Sequence, residues 1–264
     1  MTTLGIQVPS LAAIDTISHR FFTRTGGTSP APWRGLNTSV SVGDVAARVD
    51  ENLARVRFQI GVGRRALFTA SQVHGSVIVE VTDAHQPDDV AALSADALIT
   101  TRRDIAVGVR TADCAPILLA SRDGRVIAAV HAGWRGAVGG VLENCIEAFR
   151  RHDVAPRDVV AAIGPTIGQA AFEVGPEVIE AASRACDLEG LVAPGVADRL
   201  HLDLTGLVER VLKSAGVVDV TSVRRCTVSD EDFFSHRRDH GVTGRQLSVI
   251  ATVRTPELDP DTFG

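Results

Sequence analysis

The chain has 264 residues, 45% of them hydrophobic and 22% charged, with a formal net charge of −5. That is enough apolar material for a large core, and the acidic balance excludes the basic footprint of a nucleic-acid surface. No apolar run reaches the roughly 18 residues of a membrane helix, and the first ten residues (MTTLGIQVPS) lack the basic and apolar regions of a signal peptide, so a cytoplasmic protein with no membrane partner is expected.

Residues 17–24 (ISHRFFTR) read as a strand running into a loop over 25–37 that is rich in Gly, Pro, Thr and Ser. Such a loop carries function as readily as it merely connects. Asp44 caps a helix reaching Ile60, with Val45, Val49, Leu53, Val56 and Ile60 as its apolar stripe. Short strands are expected over 66–70 and, beyond the loop Gln72-Val73-His74-Gly75, over 76–81. A polar loop covers 82–89, and two buried strands follow over 95–100 and 105–109.

The stretch over 107–136 organises the rest. Two apolar runs, 115–120 and 126–130, flank Arg122-Asp123-Gly124-Arg125, and Asp-Gly between hydrophobic runs signals a β-hairpin because both residues tolerate positive φ. A turn at Asp123-Gly124 sets Pro116 opposite His131 and Cys114 opposite Gly133. Side chains alternate faces with period two, so Cys114 and His131 project from one face as diagonal neighbours. Leu118, Ala120, Ile127 and Ala129 share one face; Ile117, Leu119, Val126, Ala128 and Val130 share the other. A pair of strands apolar on both sides belongs inside a layered α/β structure.

After the hairpin, Val138, Val141, Leu142, Cys145, Ile146 and Phe149 make one helix face. A strand over 159–163 follows, then a helix from Pro176 with Val178, Ile179, Ala182 and Cys186 on one side. Cys145 and Cys186 are therefore expected in the core. Asp203 caps a helix that buries Leu204, Leu207, Val208, Val211 and Leu212 and stops at Gly216. Strands over 217–223 and 245–253 enclose a polar, basic segment. With no repeat and no clear linker, the simplest organisation is one mixed α/β domain over 1–264, with its core over about 17–253.

The four cysteines (114, 145, 186 and 226) are widely spaced, which fits free thiols or ligands better than a disulfide framework. His85 and His152 sit in polar segments, and His19 and His201 have no obvious partner. His74, Cys114 and His131 form a set that can bind zinc with a fourth position open. Two other readings stand beside it: Cys114 as a nucleophile with His131 as its base, or a buried thiol beside a satisfied histidine. Asp113 is suited to orienting a ligand, acting as a base or capping a strand end. Arg24, Arg135, Arg237 and Arg238 are candidates for holding an anion, since guanidinium matches phosphate and carboxylate bidentately. Phe233 and Phe234 serve equally as core or as a stacking surface.

The segments TRTGGTS (23–29), LN (36–37), QVHG (72–75), ADALIT (95–100), TADCAPILLA (111–120), AAVHAGWRG (128–136), IGPTIG (163–168), FEVGPEV (172–178) and FFSHRRDHGVTGR (233–245) together resemble the YfiH family, also called laccase-domain or FAMIN-like proteins. The resemblance implies layered mixed β-sheets with flanking helices, in a cysteine-hydrolase-like fold. It implies zinc held by His74, Cys114 and His131, with Cys114, His131 and Asp113 as catalytic candidates. Through the matched motifs, Arg24, Asn37, Gln72, Arg135 and Arg238 become substrate-binding candidates. The implied activity is phosphorolysis of purine nucleosides (adenosine, inosine, methylthioadenosine), with adenosine deamination; the partners are then a small-molecule nucleoside and phosphate. The family has also been assigned copper-dependent polyphenol oxidation and editing of peptidoglycan precursors, here as a zinc amidase. A non-enzymatic, zinc-stapled binding module is the remaining alternative. The family often has Tyr where this chain has His236. Blue copper sites often add an axial Met, yet the one Met here is residue 1 and no HxH pair exists. Copper is therefore expected as a substitute for zinc, since it binds N/S sites more tightly.

Overall fold

The hairpin marked out by the sequence is the middle of the larger of two main sheets. The computed structural model describes residues 4–253; Met1 and the ends of the expected domain, 1–3 and 254–264, lie outside the described residues. In chain order the strands are β1 (Gly5–Ile6), β2 (Ile17–Phe22), β3 (Leu67–Phe68), β4 (Ile78–Glu80), β5 (Ala97–Thr100), β6 (Ala106–Thr111) and β7 (Ala115–Ser121). They continue as β8 (Ile127–Ala132), β9 (Val159–Ile163), β10 (Glu173–Val174), β11 (Val192–Pro194), β12 (Leu200–Leu202), β13 (Asp219–Ser222) and β14 (Gln246–Thr252). The helices are α1 (Pro9–Ala12), α2 (Ala46–Ile60), α3 (Pro87–Ala91), α4 (Trp134–Val138), α5 (Val141–Arg151), α6 (Pro176–Ala185) and α7 (Leu204–Ser214).

The six-stranded sheet runs β13-β9-β7-β8-β5-β4, and the five-stranded sheet runs β1-β2-β14-β6-β3. The hairpin register is as the sequence predicts: Pro116 pairs with His131 and Ala115 with Ala132. Its turn differs in detail. Gly124 takes the left-handed conformation (φ 68°) and Asp123 does not; instead the Asp123 carboxylate accepts from Ser121 Oγ and Arg125 N.

Both faces of the hairpin are buried, each against a different layer. Ile117, Leu119, Val126, Ala128 and Val130 pack with α5, α6 and α7. Leu118, Ala120, Ile127 and Ala129 pack with Phe21, Val107, Val109 and Ile250 of the five-stranded sheet. The far side of that second sheet, through Phe22, Leu247, Val249 and Ala251, is covered by Val56 and Ile60 of α2. The order of layers is therefore helix, sheet, sheet, helix, a mixed α/β fold with layered sheets. A small sheet, β10-β12-β11, lies outside these layers; its two- and three-residue strands are too short for periodicity to reveal.

Several local expectations need correction. The N-cap of α2 is Val45, which is exposed. The Asp44 carboxylate instead accepts from Ser29 Oγ, Asn37 Nδ2 and Val45 N, so it braces the 25–37 loop. Asn52 is buried on the α2 face in place of Val45 because it bonds Thr28, Ser29, Gly35 and Asn37. Val138 belongs to α4, separated from α5 by Gly139 and by Gly140 at φ 90°. The end of the polar loop expected over 82–89 instead opens the capping-box helix α3, Pro87–Ala91. Cys145 is fully buried, but Cys186 is half-buried just beyond α6. Asp203 caps α7 as expected, accepting from Gly206 N.

Candidate metal centre and substrate cleft

His131 is carried by β8, Cys114 lies one residue before β7, and His74 follows β3 in the QVHG loop. All three meet at one end of the sheets. Their ligand atoms lie within 4.8 Å of one another; His74 Nε2 is 3.8 Å from Cys114 Sγ, and the two imidazoles meet edge to face at 4.8 Å between centroids. Two backbone positions flank the set in the left-handed region, His74 at φ 59° and Asp113 at φ 91°. Non-glycine residues held there signal over-determination by their surroundings. Gly133 is required by close approach: a Cβ there would lie 3.1 Å from both Cys114 Sγ and His74 Cδ2.

Asp96 holds this arrangement in place. Fully buried one residue before β5, its carboxylate meets His131 Nδ1 at 2.7 Å. It also accepts the backbone N–H groups of Val73, His74 and Gly75 at 3.2, 2.9 and 2.7 Å. One carboxylate thus orients His131, leaving its Nε2 for a ligand role, and shapes the loop that presents His74. Carboxylates behind metal-binding histidines do this work in metal sites generally. Burial raises the Asp96 pKa, but the hydrogen bonds from His131, Gly75 and Val73 outweigh it and hold the group below the usual carboxylate range.

The same network charges Cys114. Burial pushes its thiol up, but hydrogen bonding to His131 and His74 brings it down to about 6. Burial pushes His131 down, and the bonds to Asp96 and Cys114 reverse this and hold it up near about 9. A thiolate at neutral pH is the ligating form. Metal bonds of about 2.3 Å to sulfur and about 2.0 Å to nitrogen set two tetrahedral ligand atoms about 3.5 Å apart. The His74–Cys114 separation of 3.8 Å is close to that, and the widest separation of 4.8 Å exceeds it by about 1.3 Å, so small side-chain rotations fit these residues to one metal ion.

The set forms part of the wall of a cleft of about 770 Å³, within the usual range for small-molecule sites. Of the residues expected at the site, His74, Cys114, His131, Asp113, Gln72 and Arg135 line this cleft. Gln72 is pinned by paired bonds to the backbone of Arg110, and Arg135 stacks on Trp134 at 4.4 Å. The Asp113 carboxylate is engaged by Thr227 Oγ1 at 2.6 Å and by Arg237 N at 2.7 Å, which ties the 227–237 segment to the mouth of β7.

The structure does not bring Arg24, Arg238 or Asn37 into the cleft. Arg24 and Arg238 line a separate depression with Arg34 and Glu231. Arg238 bonds Asp239 and the carbonyls of Thr227, Asp230 and Phe233. Phe234 is buried, with the Arg24 guanidinium 4.7 Å from its ring. Asn37 is buried, bonding Ser39, Asp44 and the Arg245 backbone. Sequence reasoning missed Asp96, Arg110 and Arg245 as residues of the site. The available signal was an acid or a base next to an otherwise apolar strand: Asp96 in ADALIT, Arg110 at the end of AVGVRT and Arg245 before QLSVIAT.

The sequence family described as multi-copper polyphenol oxidoreductase laccase matches residues 18–253. The chain belongs to this family. Among its relatives, purine nucleoside phosphorylase of Deinococcus radiodurans is 37% identical over 249 residues, covering 94% of this chain and 93% of that protein. Purine nucleoside phosphorylase YfiH of Escherichia coli K12 is 37% identical over 230 residues, covering 86% and 90%. Similar solved structures share the fold. YlmD from Geobacillus stearothermophilus superposes with a TM-score of 0.88 at 29% identity, covering 95% of this chain and 99% of that one. Neisseria meningitidis protein NMB0706 does so with a TM-score of 0.85 at 34% identity, covering 96% and 100%.

Proposed function

We propose that this protein is a zinc-dependent purine nucleoside phosphorylase acting in the cleft beside His74, Cys114 and His131. The observation that carries the reading is the coincidence of this ligand set with a nucleoside-sized cleft also lined by arginines. Relatives named purine nucleoside phosphorylases support it. Among the described residues one cluster has metal-ligand spacing, enough for one ion rather than the several of a multicopper centre. His and Cys ligands suit zinc, with copper as a tighter-binding substitute. Bound zinc would supply a Lewis acid with a position open to water or a substrate oxygen.

The chain's own residues do the rest of the work. Asp96 fixes the direction of His131 and the shape of the His74 loop. The cleft arginines hold phosphate against the ribose. An oxygen of phosphate forms the bond to ribose C1′, and the C1′–N9 bond breaks, leaving its electron pair on the purine, which takes up a proton. Phe172, Trp134 and His236 on the wall offer ring faces to the base. Asp113, through Arg237 N, positions the segment that carries His236 and Arg237.

The test supplies adenosine with and without phosphate to metal-loaded protein and follows every product. Phosphate-dependent appearance of adenine and ribose 1-phosphate is expected. Formation of inosine and ammonia alone would replace phosphorolysis by deamination. Turnover of a peptidoglycan precursor without turnover of any purine nucleoside would hand the cleft to an amidase.

A further inference from the structure

Arg110 and Arg245 do work that no described contact explains. Arg110, on β6, projects into the cleft and uses Nε to donate to Thr38 O at 2.7 Å. Its two terminal nitrogens have no hydrogen-bond partner among the described residues, and burial alone, with no compensating acid, lowers its pKa to about 10. Arg245 lines the same cleft just before β14. Its Nη1 donates to the carbonyls of Thr243 and Gly244, and its Nη2 has no partner among the described residues. Burial lowers its pKa even though Cys114 and Asp113 pull the other way.

The backbone ties the two arginines together. Thr38 accepts from Arg110 through its carbonyl, and its own N and Oγ1 donate to Arg245 O at 3.1 and 2.9 Å. Asn37 Oδ1 accepts from Arg245 N at 2.9 Å, and the Asp44 carboxylate holds Asn37. The loop from Asn37 to Asp44 is therefore a bracket that holds the Arg110 guanidinium directly and the Arg245 backbone beside it. A guanidinium partly stripped of water is costly unless an anion pairs with it, and no carboxylate of the described residues does so for Arg110. We infer that Arg110 and Arg245 form the phosphate-binding subsite of the cleft, held in place by Thr38 and Asn37.

Two forks suit a tetrahedral dianion with several oxygens better than they suit a single carboxylate. The Ser39 and Ser41 hydroxyls, 2.8 Å apart on the same wall, are further donors. The Arg24–Arg34–Arg238 depression is the weaker candidate, because Arg238 is already neutralised by Asp239. That the bound anion is the attacking phosphate rests on the phosphorylase reading; the binding itself does not.

The test is thermal unfolding of the full chain in inorganic phosphate at constant ionic strength, followed by phosphate kinetics. The wild-type Tm is expected to rise with phosphate. Arg110→Gln should start from an equal or higher Tm, since an unpaired buried charge is gone, and should show no phosphate-dependent rise. Arg34→Gln should respond like the wild type, and acetate should not substitute for phosphate. With nucleoside present, Arg110→Gln and Arg245→Gln should raise the phosphate KM by about ten- to hundredfold. If Arg110→Gln does not fold, Arg245→Gln carries the same test. An undiminished phosphate response in both variants would overturn the subsite. Loss of the response in a protein that cleaves no nucleoside would keep the subsite and remove the phosphorylase reading. Phosphate-dependent cleavage with an unchanged phosphate KM in both variants would do the reverse.

Discussion

At the scale of single residues, Asp96 concentrates the most consequence. It is fully buried, meets His131 Nδ1 and accepts three consecutive backbone N–H groups. Asp96→Asn keeps the size but replaces a charged acceptor by an amide. Metal affinity is expected to fall by about 10- to 100-fold, read by competition with a chromogenic chelator; unchanged affinity would remove Asp96 from the site. His19 gives a separate prediction. It is 1% exposed, its Nε2 accepts from Val8 N at 2.8 Å, and burial, helped by Arg20, lowers its pKa from 6.5 to about 4. The folded protein therefore holds it neutral where the unfolded chain protonates it. This stability is complete above pH 6.5 and is lost as pH falls from there through about 4, for a total of about 3 kcal/mol. His19→Gln, which keeps an acceptor, should flatten the denaturation midpoint across that window. An equally steep profile in the variant would show that other groups carry it.

At the scale of elements, the β7–β8 hairpin shows why the chemistry sits where it does. Every residue of both strands is buried, and the apolar positions between their ends face the neighbouring layers, so only the end that carries His131 borders the cleft. Function is confined to the strand ends, where Cys114 precedes one strand and His131 closes the other. Leu118 faces the space between the two sheets, fully buried. Leu118→Ala should cost about 2–5 kcal/mol in urea unfolding while leaving metal binding intact in the folded fraction. Loss of less than about 1 kcal/mol would mean that the sheet interface repacks around the gap. The segment before α2 teaches the opposite lesson. Aspartate before a helix is a standard capping pattern, yet here the carboxylate is claimed by Ser29 and Asn37 because the loop that needs bracing packs beside it.

At the scale of the whole molecule, the candidate metal ligands come from three segments that the layers bring to one end. The core that does this is apolar. Cys114→Ala, or removal of metal with a chelator, should abolish most metal binding by elemental analysis. Far-UV circular dichroism and a single cooperative unfolding transition should remain, with Tm lowered only by the lost ligand linkage. A chain that unfolds on chelation would mean that the metal is structural. Full occupancy in Cys114→Ala would sink the ligand set.

The sequence by itself determined the hairpin register, the two apolar faces of the central strands, the start of α6 at Pro176, the Asp203 cap of α7, and the pairing of Cys114 with His131. Each is local: period-two alternation, a turn signal and capping chemistry all act within a few residues of chain. The loop position of His74 and the family motifs add it to that pair. Only the tertiary structure decided which charged residues share the cleft. Arg24 and Arg238 lie in matched motifs yet line a separate depression, while Arg110 on β6 and Arg245 just before the neighbouring strand β14 line one cleft although more than half the chain separates them in sequence. Asp96 likewise reaches His131 through the β5–β8 pairing. The physical reason is that a side chain's charge environment is set by which strands lie beside its own. Strand order between distant segments follows from burying every apolar face at once, a property of the whole chain that no window of sequence contains.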